Sequence, residues 1–466
     1  MAMDISFHPV DFLIIGIYVA LLFLIGFIRR KKHRNEDFLL SGRRLTLPVF
    51  VMTLVSTWYG GILGVGEFTY QYGLSNWFIM GFPYYIFALL YAFSSAGRIR
   101  ENSAATIPEL IKQGYGKVPA FISAFFVFLM TSPAPYLLIA GIIVSLITGL
   151  SPLLCALLVF IASAIYLYRK GFETVIQSDV LQFICMFAGF VILVAMLLKN
   201  FPLRVYLDPA ALPEQFLHLS GGLPASYIIS WFFIALWTLV DPGFHQRCAA
   251  ARSPKTARNG ILVSIVFWMI FDALTVVSGL YARALLPDIQ SLYAYPLLAS
   301  HVLPVGLFGL FIAGLLATVM STLDSYIFIS AQTLGYDIMG AYRPRQIRMN
   351  VRIGYVLTGI LAMIIVYLLP SVVSIWYLIG TLVIPSLLIP SLSVLFSRTI
   401  PVKYILILMT GAITLSGTWF ILGEILGKYP LGIEPFYPGF CFSLFIYLLA
   451  RLRYRNNAVQ GQMIHK

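Results

Sequence analysis

The chain has 466 residues, of which 60% are hydrophobic and 11% are charged, and its mean hydropathy is +0.90. This composition is typical of a polytopic membrane protein and excludes a large soluble domain. The net charge of +13 would suit nucleic-acid binding, but the basic residues lie in alternate loops, which instead indicates membrane orientation. The four cysteines, Cys155, Cys185, Cys248 and Cys441, show no ligand spacing and predict no disulfide framework.

Apolar runs of about 20 residues predict about thirteen transmembrane helices in an all-α membrane fold. They cover residues 11–28, 47–72, 76–96, 118–148, 152–168, 176–198, 223–243, 258–282, 303–338, 351–370, 373–396, 403–423 and 433–450. With the N-terminus outside and the C-terminus cytoplasmic, only four of the 31 Lys and Arg residues face outward: Lys199, Arg204, Arg283 and Lys428. The basic run after the first span predicts an anchor rather than a cleaved signal, and the lack of Asn-x-Ser/Thr sequons favours a bacterial inner (plasma) membrane.

Helix breakers lie within three of the predicted spans. The second span contains Gly60 and Gly61, the seventh ends in Asp-Pro-Gly at 241–243, and the eleventh is interrupted by Gly380, Pro385 and Pro390. Each glycine costs a helix about 1 kcal/mol, so we expect the second span to unwind. Unwound backbone exposes carbonyls that can bind cations, although a glycine face for tight packing is the alternative.

The breaks in spans two and seven predict two five-helix halves of opposite topology. Inverted repeat 1 covers residues 47–199 and inverted repeat 2 covers residues 222–396. The helix at 11–28 precedes them and two peripheral helices at 402–453 follow, so residues 1–466 form one transporter domain. Inverted halves with discontinuous helices are typical of secondary transporters, which bind their solute where the halves meet.

The ninth span is the most informative segment, since residues 314–337 read GLLATVMSTLDSYIFISAQTLGYD. Thr318, Ser321, Thr322 and Ser325 recur at helical spacing on one face, and Asp324 stands beside them. Burying an unpartnered hydroxyl costs about 1–3 kcal/mol, and a carboxylate costs more. Because such oxygens suit a hard cation, this face predicts a sodium site, with close helix packing as the alternative for any single residue.

Other acids lie within or near the predicted membrane segments. Asp179 opens span six, Glu67 lies in the outer half of span two, and Asp11 and Asp241 are expected at the interface. Asp272 is deep in span eight, where it either bonds a neighbouring helix or serves the transport pathway. We expect no Lys or Arg at mid-span, so a solute carboxylate would need backbone donors or the coupling cation.

Six motifs resemble, in order, those of the sodium:solute symporter family, which includes bacterial proline, galactose and sialic acid symporters. They are FLLSGRRLTLP, GVGEFTYQYGL, TIPELIKQGYG, GFETVIQSDVLQ, HQRCAAARSPKTARNG and GLLATVMSTLDS, the last being the most specific. The resemblance implies a leucine-transporter-type fold and a main sodium site formed by the carbonyls of Leu54, Thr57 and Thr318 and the hydroxyls of Ser321 and Thr322.

The family resemblance also places a candidate second cation site nearer the cytoplasm. Its residues are Asp179, Ser321, Asp324 and Ser325. Two carboxylates repel each other without a cation, so this site could bind sodium, carry a proton or relay sodium inward.

A solute cavity closed by an aromatic lid at Trp237 is a further implication of the resemblance. The other wall candidates are Trp58, Tyr59, Gly60, Gly61, Ser132, Tyr136, Trp376 and Tyr377. Gly61 matches a position where sugar transporters present a polar side chain, which counts against a sugar bound in that manner. Aromatic walls with nearby acids suit a neutral or amine-bearing solute.

These features predict a secondary active transporter that couples inward sodium flow to uptake of a small polar organic solute by alternating access. Sodium is the coupling ion; we expect no cofactor and no nucleic-acid partner. A proton-coupled symporter of the same fold and a transporter-like solute sensor are the alternatives. A membrane enzyme would need a convergent nucleophile or metal set, whereas the six histidines are scattered along the chain.

Overall fold

The computed structural model describes residues 5–27, 35–168, 171–201, 212–342, 344–368 and 372–464, and its regular structure there is helical apart from one isolated bridge between Leu45 and Ala251. The long helices are Pro9–Phe27 (α1), Leu47–Ser56 (α2), Ile62–Tyr72 (α3), Trp77–Glu101 (α4), Lys117–Met130 (α5), Ala134–Thr148 (α6), Pro152–Leu167 (α7), Phe172–Asn200 (α8), Ala225–Ile234 (α9), Pro242–Ala250 (α10), Pro254–Leu285 (α11), Leu307–Gln332 (α12), Ile347–Leu368 (α13), Val372–Leu395 (α14), Val402–Leu426 (α15) and Phe436–Ile464 (α16).

Each predicted span coincides with one of these helices or with a consecutive pair of them. Ten segments in the described ranges, each one helix or a consecutive pair of helices, are long and apolar enough to cross a membrane, and α2 and α7 are shorter apolar helices. Three short helices lie in the connections: Asn35–Leu40, Ile107–Tyr115 and Ala294–Val302. The all-helical membrane fold is therefore confirmed.

The two breaks expected in spans two and seven are both present. Residues 57–61 separate α2 from α3, and the Trp58 amide donates to the Val55 carbonyl at 3.2 Å, passing over the Leu54 carbonyl that an unbroken helix would use. In span seven, the 3₁₀ turn Ala235–Val240 and the extended residue Asp241 separate α9 from α10. Asp241 is buried, and its Oδ1 caps α10 by accepting from the Phe244 amide at 2.8 Å.

The predicted interruption of span eleven at Gly380, Pro385 and Pro390 is wrong, because α14 runs through all three as one helix. Proline removes a helix hydrogen bond, but membrane helices tolerate it where neighbouring helices support the backbone. α14 packs against α15 and α16, and the Ser443 hydroxyl in α16 donates to the Pro385 carbonyl. Tertiary packing therefore outweighs the local signal.

The division into inverted repeats at 47–199 and 222–396 and the outside position of the N-terminus stay predictions. Several basic positions used for that orientation lie outside the described residues: 29–34, 169–170, Arg204, Arg343 and Lys466.

Helix α12 lies at the centre of the bundle, and every residue from Phe311 to Gln332 is buried. Its main partner is α8, with α1, α6 and α13 around it. A Cβ atom on Gly314 would lie 2.7 Å from the Cys185 carbonyl oxygen, so glycine is what lets α8 and α12 pack this closely. This contact brings the hydroxyl stripe of α12 against the first turns of α8.

Asp11 joins the first helix to the start of α12 and is buried. Its Oδ1 accepts hydrogen bonds from the amides of Gly306 (2.8 Å) and Gly309 (2.9 Å). These amides lie at the start of α12, where the first N–H groups have no partner within the helix. The carboxylate of α1 thus caps α12 across a tertiary contact and complements the helix dipole.

We expect Asp11→Ala to lower the free energy of unfolding by about 1–3 kcal/mol, because two buried amides lose a charged acceptor. Thermal unfolding of the purified protein measures this loss. Asp288→Ala, which removes an exposed acid, is the control and should unfold like wild type. Equal melting temperatures for the two variants would show that the Asp11 cap contributes nothing.

Candidate functional site

The break in span two contacts the hydroxyl stripe of α12 at Thr57. The Thr322 hydroxyl donates to the Thr57 carbonyl at 2.7 Å, and the Thr57 and Ser321 hydroxyl oxygens are 3.5 Å apart. A Cβ atom on Gly60 would overlap the Thr322 side chain and come within 2.6 Å of Tyr136. Glycine at position 60 is therefore a condition for this contact.

The other two predicted sodium ligands lie one turn away from that contact. Leu54 is three residues before Thr57 on α2, and its carbonyl is the one that the Trp58 amide passes over. The Thr318 hydroxyl bonds back to the Gly314 carbonyl at 2.7 Å, so its side chain does not compete for a cation beside Ser321 and Thr322. The structure thus brings Thr57, Ser321 and Thr322 together, with Leu54 and Thr318 flanking them.

A fully buried ion pair lies beside this contact. Arg247 in α10 places its Nη2 atom 3.0 Å from Oδ2 of Asp179 in α8, and neither side chain is exposed. The other carboxylate oxygen accepts from the Ser321 hydroxyl at 2.6 Å. The Thr53 hydroxyl in α2 also donates to Oδ2 of Asp179. Four helices, α2, α8, α10 and α12, therefore meet at one carboxylate.

The guanidinium of Arg247 occupies the place where we predicted a second cation. Its Nη2 donates to the hydroxyls of Thr57 (2.6 Å) and Ser325 (2.9 Å), and its Nε donates to the Thr53 hydroxyl at 3.1 Å. The structure brings Asp179, Ser321 and Ser325 together as predicted, but around an internal cation. Arg247, which we counted among the basic residues of the cytoplasmic loops, is instead fully buried in α10. The intramembrane position of Asp179 was the signal, since a buried carboxylate requires a counter-charge.

Asp324 does not join this group. Successive helix residues turn by about 100°, so Ser325 stays on the stripe while Asp324 points to its other side. There the Tyr166 hydroxyl of α7 donates to its Oδ2, and its buried Oδ1 has no hydrogen-bond partner among the described residues. The structure therefore separates the two carboxylates, Asp179 and Asp324, that we placed in one site.

A cavity of about 110 Å³ lies beside the break in span two. A water molecule needs about 10–15 Å³ of such volume, so the cavity holds several waters or a small organic solute. The predicted wall residues that line it are Trp58, Tyr59, Gly61, Tyr136, Trp237 and Trp376. Trp376 lies against Gly61, where a Cβ atom would overlap the indole, so the indole takes the space of the polar side chain expected for sugar recognition.

Three predicted wall residues lie elsewhere. Gly60 faces Thr322, Ser132 lines a separate apolar cavity between α5 and α13, and the Tyr377 hydroxyl donates to Glu434.

Sequence reasoning missed several residues of the cavity wall, including Asn76, Trp77, Tyr84, Trp231 and Tyr326. Another polar residue of the wall is Asp272, for which we left open either a structural role or a role in the transport pathway. Its Oδ1 accepts from the Tyr59 hydroxyl at 2.9 Å, its Oδ2 accepts from the Tyr85 hydroxyl, and the residue lines the cavity.

The lid candidate Trp237 is held in place by Asp241. Its Nε1 donates to Oδ2 of Asp241 at 3.0 Å, and the Tyr326 hydroxyl donates to the same oxygen at 3.3 Å. The residue that caps α10 therefore also orients two aromatic side chains of the cavity.

The model of the sodium:solute symporter family matches residues 38–381. The chain belongs to this family. This member is 23% identical over 433 residues to human sodium/glucose cotransporter 4, covering 79% of this chain and 62% of that protein, so the match spans about three fifths of that relative. It is 24% identical over 394 residues to the sodium/pantothenate symporter of Haemophilus influenzae, covering 77% of this chain and 79% of that one.

The fold of this family member is similar to that of a solved sodium-coupled sialic acid symporter in its substrate-bound, outward-open state. The TM-score is 0.78 at 16% identity, and the match covers 96% of this chain and 97% of the other. The leucine-transporter-type fold is thereby confirmed.

We expect Arg247→Ala to destabilise this family member by about 3–5 kcal/mol, because it leaves the Asp179 carboxylate buried without a counter-charge. Arg247→Ala combined with Asp179→Asn should recover a large part of that loss. Thermal unfolding of both single variants and the double variant gives the coupling between the two residues.

The control for this cycle is Arg258→Ala, which removes an exposed arginine from the start of α11. Additive effects of the Arg247 and Asp179 substitutions would contradict the ion pair.

Proposed function

We propose that this protein is a secondary active transporter that couples inward sodium movement to uptake of a small polar organic solute. The observation that carries the proposal is the junction of the broken span two with α12, where the Thr57 carbonyl accepts from the Thr322 hydroxyl and the Thr57 hydroxyl lies beside the Ser321 hydroxyl. Sodium prefers several oxygen ligands, and the carbonyls of Leu54 and Thr318 complete the proposed set. Membership of the sodium:solute symporter family supports sodium as the coupling ion.

The proposed coupling follows from the double role of the break. Residues 57–61 supply a carbonyl for the cation and also line the solute cavity. A sodium ion that bridges α2 and α12 would hold the break in one arrangement, and that arrangement shapes the cavity wall. Each ligand then favours the state that binds the other, which is what reciprocal coupling requires.

We further propose that the sites at Thr57 and at Asp179 differ in how they take a cation. The main site can accept sodium by exchanging one hydroxyl–carbonyl hydrogen bond for metal ligation. The second site, at Asp179, Ser321 and Ser325, holds the Arg247 guanidinium, so a second sodium requires that side chain to move away.

The orientation that we propose keeps the N-terminus outside and the C-terminus in the cytoplasm of a bacterial plasma membrane.

Sodium should raise the melting temperature of the purified wild-type protein, while potassium at equal ionic strength should not. Binding to the folded state alone stabilises it by about 2.7 kcal/mol at a hundred times the dissociation constant. The sodium effect should vanish in the double variant Ser321→Ala with Thr322→Ala, which removes both proposed hydroxyl ligands.

Ser330→Ala is the matched control, since it removes a buried hydroxyl from the same helix at a bond to the Thr131 carbonyl. It should keep the sodium effect. A wild-type protein that responds equally to sodium and potassium would refute the sodium site.

A proton-coupled symporter is the second candidate, and the buried Asp324 favours it. Its Oδ1 has no hydrogen-bond partner, and no ion pair neutralises it among the described residues. A carboxyl group in such surroundings avoids the cost of a buried charge by holding a proton.

For sodium coupling we expect no solute uptake driven by a pH gradient in sodium-free proteoliposomes, and we expect Asp324→Asn to retain sodium-driven uptake because the amide resembles the neutral acid. Uptake driven by the pH gradient in wild type but lost in Asp324→Asn would replace the sodium mechanism with the proton mechanism.

A further inference from the structure

We propose that the solute carries a positively charged ammonium group, with the cavity's aromatic rings surrounding that group and Asp272 as its counter-ion. This inference rests on the proposed transport function and adds the chemical class of the solute. It depends on three features of the cavity: its aromatic wall, its uncompensated acid, and the lack of polar groups suited to other solutes.

The wall of the cavity is mainly aromatic. Nine of its seventeen described lining residues are Trp or Tyr, and they come from the break in span two and from α4, α6, α9, the turn after α9, α12 and α14. Rings that face one small space from several directions form the type of cage that binds ammonium groups through cation–π contacts. A cation gains from every ring face it meets, whereas an anion is repelled by each.

The charge of the wall is negative. Asp272 lines the cavity, and no Lys, Arg or His does so among the described residues. The hydroxyls of Tyr59 and Tyr85 hydrogen-bond to its two oxygens but do not neutralise it. The buried guanidinium of Arg247 is paired with a different acid, Asp179. A cation that enters the cavity therefore supplies the counter-charge that the protein itself does not provide.

Gly81 leaves room for the carboxylate of Asp272, and both residues line the cavity. A Cβ atom on Gly81 would lie 2.7 Å from Oδ2 of Asp272, so a larger residue at position 81 would push the carboxylate back. Glycine at this position of α4 keeps the acid within reach of a bound solute. Asp272 is correspondingly accessible in part, whereas Asp179 and Asp324 are fully buried.

Other classes of solute fit this wall less well. A sugar needs several hydrogen-bonding side chains, but the Trp376 indole covers Gly61, and Thr57 and Asn76 are the main remaining polar groups besides Asp272 and the Tyr and Trp edges. A solute with net negative charge would lie against Asp272 without a basic partner, which is electrostatically unfavourable.

The test uses a pair of probes that differ in charge and hardly in shape. One is 2-hydroxyethyl-trimethylammonium, and the other is its neutral analogue 3,3-dimethylbutan-1-ol, in which carbon replaces nitrogen. Binding to the purified full-length protein in sodium chloride is followed by thermal shift and by tryptophan fluorescence, since tryptophans line the cavity. A primary amine, 4-aminobutan-1-ol, and an anion, 4-hydroxybutanoate, complete the set and cover smaller ammonium groups and the opposite charge.

We expect at least one ammonium probe to bind at least tenfold more tightly than the neutral and anionic probes. Asp272→Asn should weaken ammonium binding by about 10- to 100-fold, as expected for loss of one charge partner in a site shielded from water. Glu434→Gln is the matched control, because it changes a carboxylate that also accepts from a tyrosine but lies outside the cavity wall. It should leave ammonium binding unchanged.

The inference is overturned if the neutral or anionic probe binds as tightly as the ammonium probes, or if Asp272→Asn binds them like Glu434→Gln. The wild-type comparison of charged and neutral probes does not depend on any variant folding. Sodium-specific stabilisation is measured in the same samples without probe. Its loss refutes sodium coupling, whereas a sodium response with no preference for ammonium refutes only the solute class.

Discussion

The ion pair between Asp179 and Arg247 is the interaction on which the arrangement of the broken helices depends. Both groups are removed from solvent, and either one alone would be an uncompensated charge inside the membrane. Hydroxyls of Thr53, Thr57, Ser321 and Ser325 satisfy the remaining donors and acceptors of the pair. The pair thus links α8 and α10 to the end of α2 and the middle of α12. Breaking any one of these contacts therefore affects the partners of the buried charges in all four helices.

The helix breaks make this arrangement possible. Arg247 lies in the last turn of α10, which starts only after the extended residue Asp241, and every residue of this helix is buried. The break in span two supplies the Thr57 carbonyl, and Gly60 removes the side chain that would keep α12 away. Irregular backbone at membrane depth is tolerated only where it is enclosed in protein or lines a cavity. Here the same short segment does both, since it contacts α12 and lines the solute cavity.

The spans and their breaks could be predicted because they depend on local properties: hydropathy over about 20 residues, and glycine or proline within a run. The hydroxyl stripe of α12 could also be predicted, from helical spacing. Three features could not be predicted from local sequence. Arg247 looked like a loop residue because its depth depends on where span seven breaks. Asp324 was placed with Asp179, although the rotation of α12 turns it toward Tyr166. Pro385 and Pro390 do not interrupt α14, because α15 and α16 pack against this helix.

Three acids lie in the membrane-spanning helices, and the carboxylate of each one has different partners. Asp179 is neutralised by an arginine, and Asp324 has one phenol and an oxygen without a partner in the described structure. Asp272 has two phenols and an opening to the cavity. An unpaired charge is unfavourable in the membrane interior. Asp272 is the acid that a solute in the cavity can reach, so a solute cation can balance its charge. The protein's own cation, the proposed coupling cation and the proposed solute cation then occupy separate places, so that the binding of one does not require the displacement of another at the cavity.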